Sequence, residues 1–406
     1  MYRGGPDRCG VTGSAAAADG FVPWRFKATG PIKGSPAVAG GVAYVCSLDG
    51  VLYALDAMTG RFRWRYQTRT GLDSTPAVAD EVVYIGGDGH LHAIDARTGR
   101  RRWRFPIGDS LASSPAVADG LIYVGAGDCR MVAVDTSGTL RWEFTTDGFS
   151  ILPGSPPQLR GTGSSPAFDQ GTVYFVGVDG CVYALAASTG KLRWSTPVGG
   201  SDRSSVAIHG GTLFVGAPGS LFALDAGSGE ERWVQHVATT FDYAVPAVAD
   251  DTVYIAGRHS QLQNGTPSTE GDVYAFDTTT GRRRWQVTTA SWIEASPAVG
   301  GGLLYLATRG SSTGPAVLAI LDATTGELRW ERQADFRSAP GAWPADGIRS
   351  SPAVANGVLY LGYPNGYLYA CRAEIGAGIV PPDRSRRVPS GKEPGILRRI
   401  RRRLLG

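Results

Sequence analysis

No run of 18 apolar residues occurs in the 406-residue chain, so no segment is suited to cross a bilayer as a helix. Cysteine is scarce and odd in number. Cys9, Cys46, Cys129, Cys181 and Cys371 lie far apart, which argues against a disulfide framework and for a reducing compartment. The first residues lack the basic-then-apolar order of a secretory signal. The cytosol is therefore the expected location, with an extracytoplasmic one as the alternative if the true start lies upstream. No phosphate loop, nucleophile elbow or pair of catalytic carboxylates appears, so the commonest local signatures of chemistry are missing. Net charge is small, at +4, and unevenly placed. Residues 383–406 hold nine basic and two acidic groups, a local +7, which leaves the preceding 382 residues at −3. An acidic body with a basic tail gives no reason to expect a specific nucleic-acid partner.

Glycine and repetition are what the sequence has in excess. It carries 57 glycines, and the pattern A-x-D-x-x-T-G-x-x-x-W, intact at Ala54 to Trp64, recurs seven times with wear. Asp56 is suited to close an Asx turn and Gly60 to take a positive φ, and Trp64 then opens a strand. A second marker, Ser-Pro-Ala-Val or a relative, occurs eight times, at Ser35, Thr75, Ser114, Ser165, Ser205, Val245, Ser296 and Ser351. Its intervals of 40, 39, 51, 40, 40, 51 and 55 residues approach the period of a four-stranded propeller blade. Between markers each unit reads as four short strands joined by three tight turns.

Tryptophan gives the same number independently. Repeat tryptophans stand at Trp24, Trp64, Trp103, Trp142, Trp194, Trp233, Trp285 and Trp330, but the first precedes the first marker and none follows the last. The last unit thus lacks a fourth strand, and Phe21 to Phe26 is a fourth strand without a blade. Pairing them closes the ring and removes its open ends. The expectation is an all-β, eight-bladed β-propeller of four-stranded antiparallel blades over residues 21–372, closed by the N-terminal strand. A lead-in occupies residues 1–20. The marker prolines suit innermost strands, whose free edge faces the central channel. The eight tryptophans are expected to wedge between blades.

These repeats resemble the PQQ-binding-like propeller repeats of quinoprotein alcohol dehydrogenases and of the outer-membrane assembly lipoprotein of β-barrel biogenesis. The tryptophan-docking stretch carries the resemblance, intact at Ala54 to Trp64, Ala93 to Trp103 and Ala275 to Trp285, with Ala186 in place of Asp and Ser228 in place of Thr in two other copies. Met-Tyr-Arg-Gly-Gly-Pro-Asp-Arg at the start also resembles the family's lead-in. The resemblance implies the propeller, and it implies either an enzyme or a scaffold, because the same framework serves both. The dehydrogenases of this family have an adjacent cysteine pair forming a disulfide over the quinone, calcium held by Glu, Asn and Asp, and a catalytic Asp. No two cysteines are adjacent here, and no local motif anchors the calcium ligands. No cofactor is expected; PQQ with calcium is the alternative.

Other chemistry leaves little trace. His90 and His92 point to one face of a strand, which suggests a metal, but the same positions hold Val51 and Tyr53 in the first blade, so packing is expected and no metal site is assigned. More informative is where the repeats differ. All four insertions, Thr145 to Gly163, Arg258 to Gly271, Arg309 to Ala316 and Glu331 to Ile348, fall between strands two and three or between blades, on one face of the ring. That face also receives the residues three before each marker proline or its substitute: Lys33, Asp73, Ala112, Gly163, Arg203, Tyr243, Glu294 and Arg349. Two tryptophans outside the repeat set, Trp292 and Trp343, enter the same face. Loops that vary on a rigid scaffold are where function concentrates. The candidate ligand-binding residues at the channel mouth are Lys33, Asp73, Arg203, Tyr243, Trp292, Glu294, Trp343 and Arg349; no catalytic residue is assigned.

Residues 373–395 have the Pro, Ser and charge content of a disordered linker, and residues 396–406 form a short basic amphipathic helix, suited to an anionic membrane surface or an acidic partner. The reading is a monomeric, non-catalytic scaffold that binds a small molecule or a protein at the elaborated face. The alternative is an enzyme using that face, as a PQQ-dependent dehydrogenase or a cofactor-free cyclase or lyase.

Overall fold

The computed structural model describes residues 21–108, 113–127, 129–146, 164–200, 204–241, 244–259, 262–263, 266–309, 316–333 and 348–373. The lead-in, the linker beyond Ala373 and the segment expected to form a tail helix lie outside these residues. The described chain is built of strands, with no helix among them. Blade 1 sets the pattern with strands Ala37–Ala39, Val42–Cys46, Val51–Asp56 and Phe62–Gln67, paired antiparallel in chain order. Its two middle strands are buried almost throughout, because a neighbouring blade covers each face, and so they read as apolar runs. The outer strand alternates between buried and exposed, as expected for a strand with one covered face. Six blades are separate four-stranded sheets of this kind.

Blade 8 closes the ring as the tryptophan count required. Its own strands are Ala353–Ala355, Val358–Gly362 and Tyr367–Arg372, and the N-terminal strand Trp24–Lys27 supplies the fourth. The register runs from Trp24 opposite Ala370 to Lys27 opposite Tyr367.

The tryptophans wedge between blades by a repeated device. Just before each docking turn the pairing of strands three and four shifts by one residue, as between Ala54 and Leu55, and this bulge turns Trp64 toward the next blade. The Trp64 indole N–H donates to the Ala96 carbonyl at 2.9 Å, and its ring lies flat on Gly99. Gly99 has φ +71°, and a Cβ there would stand 2.7 Å from the ring, so only glycine fits. Trp24, Trp103, Trp142, Trp194, Trp233 and Trp285 make the same donation to Ala57, Thr136, Ala187, Ala226, Thr278 and Ala323. For Trp330 the corresponding turn would follow Ala373, outside the described residues; Trp330 packs in the cluster that holds Ala373.

The turn that receives each tryptophan is held by its aspartate. One Asp56 oxygen accepts from the amides of Met58 and Thr59 and from the Thr59 hydroxyl. The other is held by Arg63 at 2.7 Å. Arg102, Arg232, Arg284 and Arg329 repeat that contact in their own blades. Blade 4 has Ala186 where the aspartate would be, and Arg193 turns instead to the Thr172 hydroxyl at 2.8 Å.

At the channel the marker residues form a ring. The amide of each donates to the hydroxyl of the next: Ser35 to Thr75, Thr75 to Ser114, Ser114 to Ser165, and Ser165 to Ser205. The series resumes from Val245 to Ser296, Ser296 to Ser351, and Ser351 back to Ser35. Only the step from Ser205 to Val245 has no hydroxyl to receive it. Eight markers linked head to tail make the closed ring of eight blades explicit.

Blades 5 and 6 depart from the pattern. The outer strand of blade 5 is long, Glu231–Thr240, and its end pairs with the second strand of blade 6, Thr252–His259, through Thr239 opposite His259 and Thr240 opposite Arg258. The two blades thereby share one sheet.

Candidate functional site

The insertions begin further along than the repeats suggest. Arg258 and Gly271 are paired with each other, so the blade 6 excursion leaves from the ends of two strands and carries a small hairpin, Leu262–Gln263 with Thr266–Pro267. The strand Leu328–Gln333 likewise runs past Glu331. The excursion after Thr145, and most of those after Arg309 and Gln333, lie outside the described residues, as do Ala112, Gly163, Arg203, Tyr243 and Trp343.

Three of the sequence-derived residues come together on blades 7 and 8. In the loop entering blade 7, Ile293 points into the core, so that Trp292 and Glu294 face the other way. The Glu294 carboxylate lies between two guanidiniums, Arg309 Nη1 at 2.5 Å on one oxygen and Arg349 Nε at 2.9 Å on the other. The Glu294 side chain is 9% exposed, while Arg309 and Arg349 are 17% and 32% exposed, so the two arginines cover the acid and Arg349 is the most exposed of the three. The Arg309 guanidinium also sits 5.7 Å from the centre of the Trp292 ring, a cation–π distance. The Trp292 indole N–H donates to the Ser268 carbonyl, and the Trp292 carbonyl accepts the Arg309 amide. The tryptophan thus ties the blade 6 excursion to blade 7. Lys33 and Asp73 stand at the entrances to blades 1 and 2, further round the ring, the first half-buried and the second exposed.

Beside this cluster the repeats gave no hint of a buried polar network. Asp272 is fully buried, and a carboxylate in that position needs several partners. One oxygen accepts from Thr239 at 2.8 Å and meets His259 Nδ1 at 2.7 Å. The other accepts from Thr288 at 2.7 Å and Gln286 at 3.3 Å. Thr239 also meets the Tyr274 hydroxyl at 2.9 Å, and burial, followed by the nearby Asp272 charge, pushes that phenol up to about 12. The signal was present in Asp272, a carboxylate at the register position where blade 1 has Val51, but one unusual residue among eight variable ones does not stand out. His259 is held to the excursion through its amide, which donates to Glu270. His259, Ser268, Trp292, Arg309, Glu294 and Arg349 are linked contact by contact into one wall over blades 6 to 8, with Asp272 buried behind His259.

On the far side of this face, His90 and His92 flank a tight Asp88-Gly89 turn in blade 2. His92 is buried, meeting Asp88 Oδ1 at 2.7 Å through Nε2 and the Tyr66 hydroxyl at 3.0 Å through Nδ1. Blades 1 and 4 place Tyr53 and Tyr183 where blade 2 has His92, and both donate to the turn aspartate.

Four overlapping stretches, residues 12–75, 68–220, 203–266 and 217–379, match the PQQ-like repeat family described as outer membrane protein assembly factor BamB. The chain belongs to that family. Comparison with curated protein sequences gave no match. Among solved structures, this BamB-family propeller is similar to BamB from Moraxella catarrhalis, with 20% identity and a TM-score of 0.67, covering 86% of this chain and all of that one. It is also similar to the quinohemoprotein alcohol dehydrogenase ADHIIG from Pseudomonas putida HK5, with 17% identity and a TM-score of 0.70, covering 96% of this chain and 82% of that one. A europium-containing methanol dehydrogenase aligns at 15% identity with a TM-score of 0.65, over 89% of this chain and 90% of the other. At such identities the likeness is one of fold, shared by an assembly factor and by dehydrogenases.

Among the described residues, none fit a quinone held over calcium. The described cysteines stand on four different blades, and no disulfide joins them. Cys46 and Cys371 are buried, and burial raises both thiols, that of Cys371 to about 12. The two buried carboxylates of the wall are already committed, Glu294 to two guanidiniums and Asp272 to hydroxyls, an amide and an imidazole, so neither offers the open oxygen cluster that calcium takes.

Proposed function

We propose that this propeller is a non-catalytic scaffold that binds a partner through the wall over blades 6 to 8, and that the partner is a protein segment carrying acidic groups. The observation that carries this reading is the Trp292–Arg309–Glu294–Arg349 cluster. It offers an amphipathic aromatic plate beside two partly exposed arginine side chains whose orientation is set in advance by the carboxylate between them. Tryptophan and arginine in such a setting are the residue types that dominate protein interfaces, and preset side chains lose little entropy on binding. The family description as an assembly factor supports a protein partner over a small molecule. Lys33 and Asp73 would extend the surface round the mouth.

Site-specific photocrosslinking in cells tests this. A crosslinking residue at Asp73, or beside Trp292, should give protein adducts that disappear with Trp292→Ala, whereas one at Thr59 on the opposite face should give none. Adducts formed mainly from Thr59, or unchanged by Trp292→Ala, would overturn the reading. A second reading, an enzyme of the same face without a cofactor, is favoured by the buried Asp272 that orients His259. In it His259 acts as a general base, and His259→Gln would abolish turnover while leaving the adducts intact.

A further inference from the structure

We propose that Asp88, His90 and His92 form a binding site for a first-row divalent metal ion such as zinc, on the mouth-bearing face between blades 1 and 2. One donor atom from each lies within 4.8 Å of the other two. Two imidazoles and one carboxylate suit zinc, cobalt, nickel or copper(II), not calcium or magnesium, which prefer oxygen.

The spacing is that of a site waiting to open slightly. Metal–ligand distances of about 2.0–2.2 Å place neighbouring donor atoms roughly 2.9–3.4 Å apart, between octahedral and tetrahedral angles. Asp88 Oδ1 lies 3.4 Å from His90 Nδ1 and 2.7 Å from His92 Nε2. The first distance already suits a metal, with His90 Nδ1 exchanging its contact to the Asp88 carbonyl at 2.9 Å for the ion, and the second is a hydrogen bond that an ion replaces by a few tenths of an ångström of movement. The turn that carries the donors is rigid. Asp88 and Gly89 both have positive φ, 44° and 76°, and close a two-residue hairpin with Gly87 opposite His90.

The surroundings supply the supports that ligands require. His92 is 1% exposed and fixed through its second nitrogen by Tyr66 at 3.0 Å. A metal at Nε2 moves the imidazole proton to Nδ1, where the Tyr66 hydroxyl turns from donor to acceptor, and the Gly87 carbonyl, 3.2 Å from Nε2, gives up its imidazole partner. The second Asp88 oxygen is held by the Arg69 amide at 3.3 Å, and the Asp88 amide by Thr70 at 3.0 Å. The His90 side chain is 28% exposed, which leaves that side open to water or an external ligand.

Packing alone accounts for only half of this. Blades 1 and 4 show that the turn aspartate takes a tyrosine partner at the His92 position, so His92 by itself is a variant of a structural pair. Blade 1 has Val51 and blade 4 has Cys181 where blade 2 has His90, so that pair makes no demand for a second imidazole.

The same comparison supplies the test. Full-length protein freed of metal by a chelator is titrated with zinc by calorimetry and with cobalt(II) by visible absorption. Wild type should bind one equivalent, with cobalt bands typical of nitrogen and oxygen donors. His90→Ala should weaken binding at least about tenfold. His92→Tyr should abolish binding while the melting temperature holds, because tyrosine restores the aspartate pair of blades 1 and 4. Background is low, since only five histidines occur and the other three, His209, His236 and His259, lie on blades 5 and 6. Failure of wild type to bind either ion, or equimolar binding that both variants leave unchanged, would overturn the proposal. If His92→Tyr does not fold, His90→Ala decides alone.

Discussion

Exchanging threonine and valine at two points of the channel ring should destabilise at one and not at the other. Thr75 and Ser35 are 4% and 6% exposed, and the Thr75 hydroxyl accepts the Ser35 amide at 3.1 Å. Thr75→Val keeps the volume and removes that acceptor. Water has little access there, so the amide is left unpaired, at a cost of about 1–3 kcal/mol. Val245 occupies the equivalent point of blade 6, is 3% exposed and offers the Ser205 amide no acceptor. Val245→Thr supplies one, and the new hydrogen bond contributes about 0.5–1.5 kcal/mol against a desolvation term of similar size. The net change should therefore be near zero or stabilising. Urea unfolding gives the two stability differences, and hydrogen exchange at the Ser35 and Ser205 amides reports the bonds themselves. If Thr75→Val is neutral with Ser35 still protected, or if Val245→Thr destabilises as much as Thr75→Val, the ring is a by-product of packing and contributes nothing.

Deleting residues 1–28 removes a whole strand together with Trp24, which is 8% exposed and seated on Gly60, so the ring should open and stability fall by several kcal/mol; an unchanged melting temperature would refute the closure. Trp64→Ala should destabilise by about 3–5 kcal/mol, whereas Trp292→Ala, outside the docking set, should shift the melting temperature by no more than a few degrees and reduce partner binding at least about tenfold. Arg63 beside Asp56 and Arg232 beside Asp225 hold these carboxylates down at about 2. Their folded values lie below the unfolded ones, so their contribution is present above about pH 4 and lost as the pH falls toward 2. Urea midpoints should drop across that window, and the double change Asp56→Asn and Asp225→Asn should flatten the drop.

What could be read from the sequence follows what is repeated. The Asx turn at Asp56, the glycine at Gly60 and the eight tryptophans recur, so their spacing reported the blades and the ring closure before any coordinates. The marker serine recurs equally, yet its role did not show, because its partner lies one blade away and only the ring brings them together. Arg63 was hidden for a different reason. Arginine on an outer strand looks like solvated surface until the bulge before Trp64 turns it back toward Asp56. On the elaborated face Trp292, Glu294 and Arg349 show in the sequence as departures from the repeat, but Arg309 shows only as the edge of an insertion. Asp272 and His259 depend on the joining of blades 5 and 6, which no periodicity encodes.

The division of labour between the two faces has a physical cause. Each described docking turn serves two blades at once: its glycine seats the preceding blade's tryptophan and its carbonyl accepts the indole, and in every such turn but that of blade 4 an aspartate holds the turn. An insertion there would separate Gly99 from Trp64 and loosen blades 1 and 2 together, so these turns stay short. The opposite connections receive none of the docking tryptophans. They can lengthen without disturbing the docking, as the one after Arg258 does, and the added chain is then available to carry new contacts. The Ser268 carbonyl that seats Trp292 lies in such an addition. The wall over blades 6 to 8 thus joins added chain at Ser268 to residues at the ends of the propeller's own strands and loops, on the face where change disturbs the docking least.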